Sequence, residues 1–139
     1  PMNHSTEITW QDGMAFDVEI DGHHMTIDAE EQHGGTGRGP RPKPLVLSAL
    51  GGCTAMDVVA ILKKMRVPFD SLSVAVEGVL ADEHPKVYSS IEITYTFTGA
   101  TLDEAKIERA VELSQTRYCG VTAMLQGAVD LTHEIRLNP

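Results

Sequence analysis

The stretch PLVLSALGGCTAMDVVAILKKM, residues 44–65, decides the fold that we expect for this chain. It is apolar on nearly all sides until two lysines near its end, and Pro68 follows, so it predicts a helix from Leu45 to about Met65. Its glycines and the charged Asp57 argue against a membrane-spanning segment, because a charge at the centre of a bilayer is costly. We therefore expect a core helix that needs cover on all sides, and because a monomer of 139 residues need not supply it, the pattern also suggests a dimer.

Segments that alternate between apolar and polar residues flank this helix. Three lie before it and three after it, as expected for half-buried strands. Two further helices are predicted after the second strand pair, and the first opens with a capping-box pattern at Thr101–Glu104. The order β-β-β-α-β-β-α-α-β predicts one α+β domain, residues 1–139, with antiparallel sheets around the central helix. The predicted strands cover residues 7–11, 14–20, 23–28, 71–81, 87–99 and 128–137, with a loop at 33–44.

Composition and charge narrow the classes of partner. The formal net charge is -9, from 20 acidic residues against 11 lysines and arginines. Nucleic acids and anionic membranes bind cationic surfaces, so we expect neither as a partner. The amino terminus shows no leader pattern, which predicts a cytoplasmic protein in a reducing compartment. In a reducing compartment we do not expect a structural disulfide between the two cysteines, which lie 66 positions apart. A redox pair and two unrelated thiols both stay open.

The two cysteines are the first candidates for chemistry. Cys53 follows Gly51 and Gly52, which each weaken a helix by about 1 kcal/mol and leave room for a substrate or a second backbone. The Cys53 thiol is either a small buried apolar group or a reactive nucleophile. Asp57, one helical turn further on, would raise the pKa of that thiol and oppose its reactivity. Cys119 would resolve a sulfenic acid on Cys53 if folding brings the two thiols together.

A basic loop precedes the helix. Residues 1–37 contain no Arg or Lys, and Arg38, Arg41 and Lys43 then follow closely. Beside a helix amino terminus such a group favours an anion, so Arg38 and Arg41 are candidates for binding a thiolate or a substrate carboxylate. The alternative is a solvated loop whose charges aid solubility.

The six histidines give weak signals. His23 and His24 lie in the predicted hairpin, where we expect them to be exposed. His133 lies on the apolar face of the last predicted strand, so a core or interface position is expected. The sequence contains no zinc-protease, nucleophile-elbow or phosphate-loop pattern, and we predict neither a metal site nor a cofactor.

Two motifs together resemble a known family. The segment PLVLSALGGCTAMDVVAILKKMR, followed by two long strands and by AVELSQTRYCGVTAMLQGAVDLTHEI, is similar to the OsmC/Ohr family, named for osmotically induced protein C and organic hydroperoxide resistance. The resemblance extends from about Pro42 to the end of the chain and favours the OsmC-like branch. It implies an intertwined α+β homodimer with the cysteine-bearing helices at its centre and the active sites at the dimer interface.

The same resemblance implies an activity. Characterised members are thiol peroxidases of the oxidative stress response that prefer organic hydroperoxides. By matching motif, Cys53 would be the peroxidatic cysteine and Cys119 the resolving one. A thiol reductant, which the sequence does not identify, would then regenerate the pair, and no cofactor would be needed.

Two residues of the family's site have no counterpart here. Characterised members hold the peroxidatic thiolate with an arginine from the N-terminal strands and a glutamate early in the central helix. The strands before the loop contain no arginine, and the expected glutamate position is Pro44. Arg38 or Arg41 would have to replace the arginine. The second hypothesis is therefore a binding protein of the same fold that holds a lipophilic small molecule with little or no peroxidase turnover.

Overall fold

The computed structural model describes residues 2–139, which divide into two compact units, one ending at Val46 and the other comprising Leu47–Pro139. The first unit contains a three-stranded antiparallel sheet in the order β1-β2-β3. Asp21 and Gly22 both have positive φ and join two of its strands, so the predicted hairpin turn is confirmed. The strands are β1 Thr6–Asp12, β2 Ala15–Ile20 and β3 His23–Ile27, and a 3₁₀ helix follows at Glu31–His33.

The second unit contains a mixed sheet in the order β4-β5-β6, with β4 Ser71–Leu80, β5 Tyr88–Thr98 and β6 Asp130–Leu137. β4 and β5 are antiparallel, but β5 and β6 are parallel, so the prediction of antiparallel pairing is wrong for the last strand. The reason lies in the connection, because parallel strands require a crossover, which is usually helical. Here the crossover contains helices α2, Glu104–Leu113, and α3, Gly120–Leu125.

Helix α1 runs from Pro42 to Lys64, a few residues earlier than predicted. Proline suits the first position of a helix because its φ is preset and its missing N–H would lack a partner there. Within the chain α1 buries a single stripe, and Met56 on another side is 76% exposed. The core of the single chain therefore covers only one side of the helix, in line with the expectation that a monomer does not cover it fully. The buried stripe consists of Leu50, Gly51, Thr54, Val58 and Leu62.

By length and hydropathy α1 also meets the requirements for a membrane span. Its buried stripe nevertheless belongs to the core of the second unit, which identifies it as a core helix. The other fully buried members of that core come from β5 and α2, and they are Ile91, Ile93, Tyr95, Phe97, Ile107, Ala110 and Val111.

The two glycines before Cys53 have different surroundings. A Cβ on Gly51 would lie 2.9 Å from Cγ2 of Val76 on β4, whereas a Cβ on Gly52 would meet nothing within 4 Å. Gly51 therefore permits the close approach of α1 to the sheet, which a side chain would prevent. Gly52 therefore faces open space within the single chain.

The helices of the crossover begin at side-chain caps. The Asp103 carboxylate accepts a hydrogen bond from the backbone N–H of Lys106 at 3.1 Å, so Asp103 is the N-cap of α2, and the predicted capping box starting at Thr101 is out of register. After α2 the backbone forms a π-helical turn at Ser114–Tyr118 and becomes extended at Cys119, which confirms the predicted break.

Candidate functional site

The two thiols meet in the second unit. Cys53 lies on α1, and Cys119 lies between the π-helical turn and α3. Their Sγ atoms and a carboxylate oxygen of Asp57 all lie within 4.8 Å of one another. Both cysteines are free, Cys53 is half-buried, and Cys119 is only 3% exposed. The structure therefore brings together the two cysteines that the sequence singled out, with one accessible thiol and one enclosed thiol.

The surroundings of Cys53 favour the protonated thiol. Burial raises the pKa of Cys53, and the neighbouring Cys119 and the negative charge of Asp57 raise it further. A hydrogen bond from the backbone N–H of Val121 acts in the opposite direction. The prediction that Asp57 raises the pKa of Cys53 is thus confirmed in direction. Among the described residues, the groups that shift this pKa include no cation.

Buried hydroxyl groups connect to the same carboxylate. The Thr54 hydroxyl lies 2.7 Å from both the Tyr95 hydroxyl and the Ser114 hydroxyl. The Ser114 hydroxyl donates to Oδ2 of Asp57 at 3.0 Å. Nε2 of Gln115 donates to the Tyr95 oxygen at 2.6 Å and to the Thr54 oxygen at 3.2 Å. We call these five side chains the hydroxyl relay.

The proton positions in the hydroxyl relay follow from counting donors. An ionised carboxylate only accepts, and each hydroxyl has one proton to donate. Because Ser114 donates to Asp57, it must accept from Thr54, and Thr54 must in turn accept from Tyr95. All the hydroxyl protons therefore point towards Asp57. The relay therefore holds the Asp57 carboxylate beside the thiols through neutral hydroxyl groups.

The π-helical turn supplies two members of the hydroxyl relay in succession. Ser114 bonds to α1, while Gln115 bonds to β5 and accepts from the Thr122 hydroxyl of α3 at 3.4 Å. Isolated π-helical turns interrupt α-helices frequently at functional sites. The Sγ of Cys119 accepts a hydrogen bond from the backbone N–H of Thr122 at 3.4 Å, which fixes the second thiol at the start of α3.

A cavity of about 470 Å³ adjoins the site through Asp57, which is one of its lining residues. Its walls are mainly apolar, with a single ammonium group and a phenol among them. The remaining lining residues are Ala60, Ile61, Lys64, Met65, Leu113 and Tyr118. Such a cavity suits an apolar molecule of modest size.

Arg38 and Arg41 have carboxylate partners within the unit that ends at Val46. The Arg38 guanidinium contacts both oxygens of Asp12, at 2.6 Å and 3.2 Å, and its Nε lies 3.5 Å from Asp28. Arg41 lies 2.7 Å from Glu30. The guanidinium of Arg38 lowers the pKa of Asp12. A role of these arginines in binding a thiolate or substrate stays a prediction.

Asp28 organises the loop that contains Arg38. Its carboxylate accepts from the backbone N–H groups of Ala29, Thr36 and Arg38, at 2.7 Å, 3.3 Å and 3.1 Å. These bonds, the one from Arg38 first, lower the pKa of Asp28 to about 2. The basic loop is thus an ordered structure around a buried carboxylate.

The histidine predictions have mixed outcomes. His23 and His24 are exposed as expected, and His24 lies 2.9 Å from Asp17, which raises the pKa of its imidazole. His133 is exposed and lies edge-on to the Tyr95 ring at 6.2 Å between centroids. A core position within the chain is wrong for His133, which is exposed on the edge strand β6, and an interface position stays a prediction.

The sequence pointed to the two thiols and to Asp57, but not to the other four side chains of the hydroxyl relay. Its members come from α1, β5 and the π-helical turn, which are far apart in sequence. The available signal was a polar residue within an apolar stripe, as Thr54 is in α1 and Ser114 is after Ile107, Ala110 and Val111.

The sequence and the fold of this chain are similar to those of known proteins. Residues 35–134 match the profile of a family described as OsmC-like protein. "Protein YhfA" of Escherichia coli K12 is 37% identical over 127 residues, covering 91% of this chain and 92% of that protein. A crystal structure of a hypothetical protein from Aquifex aeolicus superposes with a TM-score of 0.85 at 28% identity over all of both chains.

A structure described as an organic hydroperoxide resistance protein OsmC, from Legionella pneumophila, also has the same fold. It superposes with a TM-score of 0.71 at 14% identity, covering 97% of each chain. At that identity the likeness concerns the fold alone. The predicted α+β class and OsmC-like architecture are confirmed.

Proposed function

The chain belongs to the OsmC-like protein family, and we propose that it is a thiol peroxidase that reduces organic hydroperoxides, with Cys53 peroxidatic and Cys119 resolving. The observation that carries the proposal is the approach of the two free thiols and Asp57 to within 4.8 Å of one another. The half-buried Cys53 suits the thiol that meets substrate, and the enclosed Cys119 suits the thiol that reacts only with its neighbour.

The proposed reaction has two steps. The Cys53 thiolate attacks the terminal oxygen of the hydroperoxide, so that an S–O bond forms, the O–O bond breaks and the alkoxide leaves as the alcohol after protonation. The Cys119 sulfur then attacks Sγ of Cys53, forming a disulfide and releasing water. A disulfide needs an S–S distance of about 2.05 Å, so the two thiols have to move towards each other. A dithiol reductant returns both to thiols.

The raised pKa of Cys53 sets the expected pH dependence of this activity. Only the thiolate attacks the peroxide, and at neutral pH the thiolate is the minor form when no cation stabilises it. We expect turnover to rise with pH through and above neutrality. Arg38 and Arg41 stay candidates for an anion-binding role, although each has a carboxylate partner.

We also propose that the active form is a cytosolic homodimer. The apolar side of α1 that the chain leaves uncovered supports this, with Met56 76% exposed and Val46 40% exposed. A second copy of the chain would cover these residues. Size-exclusion chromatography with light scattering would test this assembly directly.

A second candidate function is the binding of a lipophilic small molecule. The mainly apolar cavity of about 470 Å³ beside Asp57 and the raised pKa of Cys53 favour it. In that case the protein would bind apolar probes without consuming peroxide.

Steady-state consumption of cumene hydroperoxide, with dithiothreitol as reductant, separates the two candidates. We expect consumption in the wild type, loss to the uncatalysed rate in Cys53→Ser, and partial activity in Cys119→Ser, because dithiothreitol can resolve the sulfenic acid directly. Full activity in Cys53→Ser would exclude the peroxidase proposal. A wild type at the uncatalysed rate at pH 9 would favour the binding function.

A further inference from the structure

We propose that Asp57 transfers the proton in the resolving step, and that Ser114, Thr54 and Tyr95 act as positioning residues for its carboxylate. This inference rests on the proposed function, since it concerns the reaction between the same two cysteines. It assigns a role to Asp57, a carboxylate that the structure places beside both thiols.

The resolving step needs such a group because two proton movements occur together. Cys119 must lose its thiol proton as its sulfur attacks Sγ of Cys53. The hydroxyl on Cys53 must gain a proton to leave as water. A base that takes the first proton and gives it to the leaving oxygen balances the step without help from solvent. Proton transfer by a positioned side chain contributes about 100-fold or more to such reactions.

The geometry provides this base. A carboxylate oxygen of Asp57 lies within 4.8 Å of both Sγ atoms, so one group can reach the donor thiol and the leaving oxygen. The hydroxyl relay holds this carboxylate in place, because the Ser114 hydroxyl donates to Oδ2 of Asp57 at 3.0 Å and is itself bonded to the buried Thr54. Asp57 also lines the cavity of about 470 Å³, which offers the released water an exit.

The first step of the reaction gains nothing from Asp57. Its negative charge lies beside Cys53 and opposes formation of the attacking thiolate. Removal of the charge should therefore leave sulfenic acid formation unchanged or faster while slowing disulfide formation. A merely structural role would not produce opposite effects on the two steps.

The test compares the two steps in Asp57→Asn, which keeps an oxygen that accepts from Ser114 but cannot take a proton. The reduced protein is mixed with one equivalent of cumene hydroperoxide, samples are quenched over time, and mass spectrometry measures dimedone-trapped sulfenic acid and the disulfide. We expect sulfenic acid to accumulate on Cys53, with disulfide formation about 100-fold slower than in the wild type. Asp82→Asn, which removes an exposed carboxylate, should match the wild type.

Ser114→Ala tests the positioning role. Loss of the hydroxyl that holds Asp57 should slow disulfide formation by about tenfold, less than the loss of the carboxylate itself, and should leave sulfenic acid formation unchanged. Ser114→Thr, which restores a hydroxyl, should recover part of the rate. Equal slowing of both steps in Ser114→Ala would instead indicate a general structural effect and would overturn the positioning role.

A second measurement needs no peroxide and so separates the inference from the proposed function. One equivalent of dithiobis(nitrobenzoate) converts Cys53 to a mixed disulfide and releases a first thionitrobenzoate. Attack by Cys119 on Sγ of Cys53 then forms the Cys53–Cys119 disulfide and releases a second thionitrobenzoate, and the rate of this second release is followed by absorbance. This leaving group needs no proton, but Cys119 must still lose one. We expect slower release in Asp57→Asn than in the wild type and in Asp82→Asn, even if peroxide fails to oxidise the protein. Equal release rates in all three proteins would overturn the role of Asp57.

Discussion

Charged groups are held differently in two regions of the molecule. In the unit that ends at Val46, the two candidate arginines lie against carboxylates. At the thiol site, the Asp57 carboxylate lies beside two thiols and is held by neutral hydroxyl groups. Arg38 is paired with Asp12 and Arg41 with Glu30. At the thiol site the corresponding contacts are the hydrogen bonds of the hydroxyl relay. In the first arrangement an opposite charge stabilises each charged side chain. In the second, hydrogen bonds from hydroxyl groups stabilise the carboxylate.

This difference bears on reactivity. A cation beside Cys53 would lower the pKa of its thiol and favour the nucleophile. The hydroxyl relay instead holds the Asp57 carboxylate beside the thiols, and in the proposed resolving step this carboxylate is the base. Under the proposed function, the thiol site would therefore favour the exchange between the two sulfurs over spontaneous formation of the Cys53 thiolate. Four predictions test this difference between the two regions. Each concerns a substitution or a change of pH that affects one of them.

The largest expected effect is the pH dependence of Cys53 alkylation. Because the pKa of Cys53 is raised, the thiolate fraction should still increase about tenfold per pH unit from pH 6 to pH 9, or about a thousandfold in all. The rate of reaction with iodoacetamide, measured in Cys119→Ser so that only Cys53 reacts, gives this profile. Asp57→Asn in the same background should shift it to lower pH. A plateau reached below pH 7 would show that a cation does stabilise the thiolate.

The second effect is the stability lost when the hydroxyl relay is interrupted. Thr54→Val keeps the shape of a fully buried side chain but removes the hydroxyl that bonds to Tyr95, Ser114 and Gln115. Unpaired polar groups would remain buried, so we expect the free energy of unfolding to fall by about 3 kcal/mol. Urea unfolding followed by far-UV circular dichroism measures it. The exposed Thr132→Val should change it by less than about 0.5 kcal/mol, and an equally small change in Thr54→Val would contradict the hydroxyl relay.

The third effect is the loss of stability of the unit that ends at Val46 when the pH is lowered. The pKa of Asp28 is about 2 in the folded chain, below its ordinary value of 3.8, so its ionised form stabilises the fold above about pH 4. That contribution should be lost as the pH falls from 4 towards 2. Urea unfolding followed by the fluorescence of Trp10, the single tryptophan, reports on this unit. The difference between wild type and Asp28→Asn should shrink over this pH range, and a constant difference would contradict the assignment.

The smallest effect tests the packing that places Cys53. Gly51→Ala would bring a Cβ to 2.9 Å from Val76, and overpacking of this kind should outweigh the gain in helix propensity and lower the free energy of unfolding by about 1 kcal/mol. Gly52→Ala meets no atom within 4 Å and should raise it by up to about 1 kcal/mol. Urea unfolding of the two variants provides the comparison. A loss at Gly52 as well would indicate that a second copy of the chain packs against this side of α1.

The sequence predicted the elements well because each has a clear period. The alternation in β4 and β5 and the apolar run in α1 identified these elements to within a few residues. The direction of β6 was not predictable in the same way, since alternation does not distinguish parallel from antiparallel pairing. The buried stripe of α1 was not predictable for a related reason, because a helix that is apolar on all sides gives no sign of which side its own chain covers.

The site was predictable only in part. Cys53 and Cys119 stand out because the chain contains two cysteines and a pair of glycines precedes one of them. The hydroxyl relay depends on the π-helical turn, which aligns Ser114 and Gln115 with α1 and β5, and no periodic pattern marks such a turn. Its members are common polar residues whose importance comes from their contacts after folding.

The most direct test of the account is mass spectrometry of the purified, reduced protein after one equivalent of cumene hydroperoxide, with the remaining free thiols trapped. We expect a Cys53–Cys119 disulfide to form in one turnover, faster at pH 9 than at pH 7, because the thiols lie within 4.8 Å of each other and Cys53 has a raised pKa. Two unmodified thiols at both pH values would contradict it, and the cavity beside Asp57 would then be the place to look for a bound ligand.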